Sequence, residues 1–142
     1  MKKFLCFLSL CVMLMSCNSD FGDCAPHYFN GKDISGLWVT TRYIGDDYQE
    51  DYKYVYDGYM FDGDKIYAVG TYSDYLEFKN GYIYGPSDAI ETAYWGKFTL
   101  NKNGNLYIDG EYDCKLSWQG DKLIKEGEYS SYVLERVKGF KD

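Results

Sequence analysis

"NLYIDGEYDCKLSWQGDKLI", residues 105 to 124, is the stretch on which the fold class turns. Leu106, Ile108, Gly110 and Tyr112 fall on one side of a two-residue repeat, and Asn105, Tyr107, Asp109 and Glu111 fall on the other. Beyond them Cys114, Leu116 and Trp118 alternate with Lys115 and Ser117. Successive side chains of an extended chain point to opposite faces, so a period of two marks a half-buried strand. "QGD" at 119 to 121 interrupts the alternation, and its glycine supplies the positive backbone angle of a tight turn. The stretch therefore predicts strands over 105–112 and 114–119, and a third over 122–127 after the turn.

The same grammar extends outward. "DYLEFK" sets Leu76 and Phe78 against Tyr75, Glu77 and Lys79, and "DGD" at 62–64, "KNG" at 79–81 and "NKNGN" at 101–105 are further turn signals. Tyr, Val, Ile, Phe, Trp and Thr, the strand formers, dominate between the turns. Strands are expected near 36–44, 54–61, 65–72, 75–79, 82–85, 93–100 and 130–137 as well. "GDDYQEDYK" at 45–53 reads as a long loop or a single helical turn. Consecutive strands joined by tight turns are antiparallel neighbours. The fold class is all-β, an antiparallel up-and-down meander of about eight to ten strands. Such a meander protects its edges by closing into a barrel or by packing as a β-sandwich.

The N-terminus carries a different message. Lys2 and Lys3 precede "FLCFLSLCVMLM", a twelve-residue stretch from Phe4 to Met15 that is apolar but for Ser9. That is short of the ~20 needed to span a bilayer and suits a cleaved export signal. The following "LMSC", residues 14–17, resembles the lipobox of bacterial lipoproteins. The resemblance implies removal of residues 1–16, acylation of Cys17 and a stable lipid anchor in the cell envelope, since several acyl chains hold where one binds reversibly. Asn18 is not the Asp that marks inner-membrane retention in enterobacterial lipoproteins, which makes the outer membrane the expected address. Residues 17–32, polar with scattered Gly, Pro and Asn, read as the lipidated N-terminus and a tether, and 33–142 as one domain.

Loss of the leader takes two of 15 cations and leaves 22 anions, a net charge of −9. No basic patch stands out, so nucleic acid is not the expected partner. Of five cysteines, two leave with the leader and Cys17 is taken by lipid, leaving Cys24 and Cys114 as a candidate disulfide in an oxidising compartment. Closing a loop of about 90 residues, the bond would stabilise by ~4 kcal/mol in the chain-entropy picture.

"ISGLW", Ile34 to Trp38, resembles the Gly-x-Trp signature on the first strand of lipocalins. In that family the Trp lies across the closed end of the barrel and packs on a late Arg, a place that Arg136 of "YVLERVK" matches. With "LSWQGDKLI" before the final strand, residues 33–138 are similar to the lipocalin-like lipoproteins of the Bacteroidetes. The resemblance implies a monomeric barrel, Trp38 and Arg136 as a structural pair, and a small apolar or amphipathic ligand.

Catalytic chemistry finds little to stand on. His27, the only histidine, falls in the tether, and there is no Gly-x-Ser-x-Gly elbow and no phosphate-cradling loop. Nothing singles out a carboxylate pair for glycoside hydrolysis. Asn101, Asn103, Asn105 and Asp109 alternate as calcium ligands might be spaced, but Gly104 falls fourth where an EF-hand needs glycine sixth, and a hairpin turn explains the residues. The reading is a non-catalytic protein without cofactor or metal. Most of its 17 Tyr, 8 Phe and 3 Trp are ordinary strand and core material, and a barrel of about eight strands is either filled by such side chains or holds one small ligand. Trp95 shares a face with Lys97 and Thr99, and Tyr107 with Asp109 and Glu111, so each either lines a wet lumen or stands outside. Tyr94, Trp95, Tyr107 and Trp118 are the candidate ligand contacts. Two other functions fit the composition: a surface carbohydrate-binding module using exposed aromatics, and an inhibitor or adhesin docking a cationic protein on an acidic face.

Overall fold

The computed structural model describes residues 23 to 141. The leader and Cys17 lie outside the described residues. The described chain forms, in order, β1 (Tyr28–Phe29), β2 (Lys32–Asp33), β3 (Gly36–Ile44), β4 (Gln49–Asp51), β5 (Asp57–Asp62), β6 (Lys65–Thr71), β7 (Glu77–Lys79) and β8 (Tyr82–Tyr84). After a 3-10 turn at Ser87–Ala89 come β9 (Ile90–Leu100), β10 (Asn105–Ile108), β11 (Glu111–Gln119), β12 (Lys122–Glu126), β13 (Ser131–Arg136) and β14 (Gly139–Lys141).

Eight of these strands close on themselves. The order β3-β5-β6-β9-β10-β11-β12-β13 is antiparallel at every step, and β13 pairs back onto β3 through Leu134↔Thr40 and Arg136↔Trp38. Closure leaves the ring without an edge, and of the two architectures open to a meander the chain takes the barrel. β4 lies beside the far half of β3, pairing Arg42 with Asp51, where β5 no longer accompanies it. The segment expected as a loop or helical turn thus contains a short strand, exposed throughout.

The opening stretch is one hairpin richer than its alternation suggests. Residues 105–112 are not a single strand: β10 and β11 meet at Asp109-Gly110, with φ of 50° and 83°. Positive φ at both central residues is what a type I′ hairpin demands, and Asp-Gly is among the pairs that tolerate it. Asn30-Gly31 (50°, 85°) and Asn80-Gly81 (55°, 90°) turn β1–β2 and β7–β8 in the same way.

Two cores result. Inside the barrel Trp38, Phe61, Ile66, Phe98, Leu106, Leu116, Leu123 and Leu134 pack together. Outside it, Leu37, Val39, Val69 and Ile90 pack against Leu76, Ile83, Phe78 and Phe140 of a small sheet in which β8 pairs antiparallel with β7 and parallel with β14. Leu37 and Val39 alternate with Trp38 on β3, so "LWV" is apolar without interruption because both faces of the strand are covered.

The barrel is shut at one end by the segment expected to be a tether. Gly63 N–H donates to the Ala25 carbonyl at 2.8 Å, the Asn30 amide to the Lys102 carbonyl at 3.1 Å and the Lys32 ammonium to the Gly120 carbonyl at 2.6 Å. These are the β5–β6, β9–β10 and β11–β12 turns, so the β1–β2 hairpin docks on all three hairpins of that end. Phe29 is buried beneath it and His27 packs on Phe98, ring centres 4.5 Å apart. The boundary at 32/33 therefore falls inside the domain, and Ala25 already belongs to it.

Trp38 and Arg136 meet at this closed end. The guanidinium lies 4.5 Å over the indole, which donates to the Ile34 carbonyl at 2.8 Å, while Arg136 donates to the carbonyls of Asp33 and Ser35. The cation over the ring and the two carbonyls tie the last ring strand to the entry of the first. Asp33 completes the junction, accepting from His27 N–H at 3.1 Å, Ser35 N–H at 2.9 Å and the Ser35 hydroxyl at 3.0 Å. Burial works against this carboxylate, but the donors of Ser35 and His27 outweigh it and hold it below its ordinary 3.8. A depressed carboxylate stabilises the fold above its unfolded pKa and loses that contribution as pH falls through the folded value. Asp33→Asn should therefore cost about 1 kcal/mol at pH 7, a solvent-screened figure, with a smaller gap to wild type at pH 3. Urea titrations at the two pH values check both the size and the direction.

Candidate functional site at the barrel mouth

Toward the opposite end part of the inner face turns polar. On β12, Leu123 is fully buried and Lys125, two residues on and on the same face, stands one step nearer the opposite end. On β3 Thr40 likewise follows Trp38, and on β5 Tyr59 precedes Phe61 toward the open rim. Cross-strand pairing carries the layer round: Tyr59 faces Ala68, Ala68 faces Ala93, and Lys125 faces Leu116 on one side and Tyr132 on the other. Ala68 leaves room that a larger side chain would occupy. The result is a cavity of about 430 Å³ above the Phe61–Leu123 layer, lined by Thr40, Tyr52, Asp57, Tyr59, Ala68, Trp95, Lys125 and Tyr132. That lies within the range of small-molecule sites.

Trp95 reaches the cavity through an irregularity. The register between β6 and β9 shifts so that Ile66 faces Gly96 and Tyr67 faces Tyr94, leaving Trp95 as the extra residue. A bulge re-aims a side chain, and here the Trp95 ring stacks on Tyr59, centres 5.9 Å apart and planes 25° from parallel. Lys125 lies 5.1 Å from the Tyr59 ring centre and 5.9 Å from that of Tyr132. Burial pushes the Tyr59 phenol up to about 12, against the pull of Lys125. Burial also draws on the Lys125 ammonium, yet the hydrogen bond to the Tyr59 hydroxyl and the nearby Asp113 carboxylate outweigh that and hold Lys125 above its ordinary value, fully charged at neutral pH. Behind it, burial raises the Cys114 thiol to about 12, with Asp113 adding to the effect. So high a pKa makes Cys114 an inert core thiol rather than a nucleophile.

The four aromatic candidates part company. Trp95 lines the cavity. Trp118 lies in the closed half, packed on Trp38 and Phe29, its N–H donating to the Phe29 carbonyl at 2.9 Å. Tyr94 and Tyr107 stand on the outer wall, Tyr94 edge-on to Tyr67 and Tyr107 edge-on to Tyr112. Lys125, Tyr59, Tyr132, Thr40, Tyr52 and Asp57 were not among the candidates. For Lys125 a signal existed: in "KLIKE" it shares the face of Leu123, an apolar position occupied by a cation.

The candidate pair Cys24 and Cys114 is not bridged in the structure. Cys114 is a free thiol inside the barrel, whereas the arm carrying Cys24 is pinned at Ala25 to the β5–β6 turn of the closed end. Asn101 is occupied within its own turn, accepting from the N–H groups of Asn103 and Asn105 at 3.0 Å each. Among the described residues no group of three or more His, Cys, Asp or Glu could hold a metal ion. No family model, no curated protein and no solved structure matches this chain.

Proposed function

We propose that this chain is a non-catalytic binding protein of lipocalin-like type, anchored through acylated Cys17 in a bacterial outer membrane, that holds a small apolar or amphipathic molecule in the barrel mouth. One observation carries the reading: beside the packed core the barrel mouth holds an open cavity of about 430 Å³ with aromatic walls. The closed ring and the Trp38–Arg136 contact support the lipocalin likeness. The anchor rests on the "LMSC" motif alone.

Native mass spectrometry of the full chain from a bacterial host tests this. The expected result is a non-covalent adduct that is released on denaturation, and that Ala68→Trp removes by filling the cavity while the circular dichroism of the barrel is kept. A bare wild-type mass, or an adduct that survives in the Ala68→Trp variant, overturns the reading.

A second reading, carbohydrate recognition, is favoured by the outer wall, where Tyr94 and Tyr112 are each more than half exposed. It expects glycan binding that Tyr94→Ala abolishes and Ala68→Trp leaves intact.

A further inference from the structure

Resting on the small-ligand reading, we infer that the molecule held in the mouth is a monoanion with a flat apolar body, its acidic group seated on Lys125. Lys125 is the only cation among the residues that line the cavity. Five other basic side chains of this acidic protein sit within ion-pair distance of a carboxylate: Arg42 with Asp51, Lys53 with Glu77, Lys97 with Asp64, Lys115 with Glu126 and Lys122 with Glu135. Among the described residues none comes within that distance of Lys125. Its half-buried charge meets two ring faces and a phenol instead. Rings attract a cation but do not neutralise it, so an entering carboxylate or sulfonate completes what the walls leave undone.

The walls also set the body and the charge. The stacked Tyr59 and Trp95 rings, with Tyr132 also lining the cavity, accept a planar apolar group. Asp57 lines the same cavity, and Asp113 lies close enough to act on Lys125. Both oppose a second negative charge, so a dianion is disfavoured.

A matched series tests the assignment on the full chain by calorimetry: 2-naphthoate, the neutral 2-naphthamide and the dianionic 2,6-naphthalenedicarboxylate. A charge-assisted hydrogen bond in the cavity should make 2-naphthoate bind about tenfold more tightly than either of the others. Lys125→Met should erase that preference by weakening naphthoate while leaving the amide unchanged, and Lys125→Arg should preserve it. Equal binding of naphthoate and amide to the wild type overturns the anion assignment and leaves the small-ligand reading standing. Binding of none of the three overturns both. The wild-type comparison decides the matter even where a Lys125 variant fails to fold.

Discussion

Trp38→Ala should lower the free energy of unfolding by about 3–5 kcal/mol, the cost of emptying a large aromatic site in a packed core. The indole has no solvent exposure and is held from several directions: Arg136 lies over it, Trp118 against it at 5.9 Å, and its N–H is committed to the Ile34 carbonyl. Alanine removes all three contacts and strands the half-buried guanidinium over a void. Trp38→Phe refills much of the volume but leaves the Ile34 carbonyl without its donor, so a smaller loss of about 2 kcal/mol is expected. Urea denaturation followed by far-ultraviolet circular dichroism measures both. A loss below about 1 kcal/mol for the alanine variant would mean that the closed end does not depend on this residue.

Phe29→Ala should be nearly as damaging, at about 3 kcal/mol. Phe29 is 3% exposed, its ring packs on Trp118 at 6.0 Å, and its carbonyl receives the Trp118 indole N–H at 2.9 Å. A solvated tether would give up nothing on this substitution, so the measurement separates a plug from a linker. Unchanged urea stability would return residues 25–33 to the status of a leash. Loss of the expected size, with ligand binding at the far end retained, would show the hairpin to be structural.

What could be read from residues alone follows from which forces act locally. Strand alternation depends on one buried face, so β11 and β12 were legible, and the meander with them. The Asp109-Gly110 turn was obscured because Gly110 fits the apolar side of the alternation as well as it fits a turn. Tyr94 and Trp95 could not be separated by parity, since a one-residue bulge reverses the face of everything beyond it. The small outer sheet joins β14 to β8 across more than fifty residues of chain, and no local pattern announces such a pairing. The 25–33 segment looked unstructured because short strands turned by Asn-Gly have the composition of a linker; three distant hairpins decide their conformation.

The docked hairpin also fixes a direction. Ala25 lies eight steps along the chain from Cys17, and a fully extended chain gains about 3.3–3.6 Å per residue, a reach of about 30 Å at most. Ala25 is bonded at the shut pole of the barrel. An acyl anchor on Cys17 would therefore moor the molecule by that pole, on a leash no longer than the bilayer core is thick. The opening would face away from the lipid, toward whatever arrives through the aqueous phase.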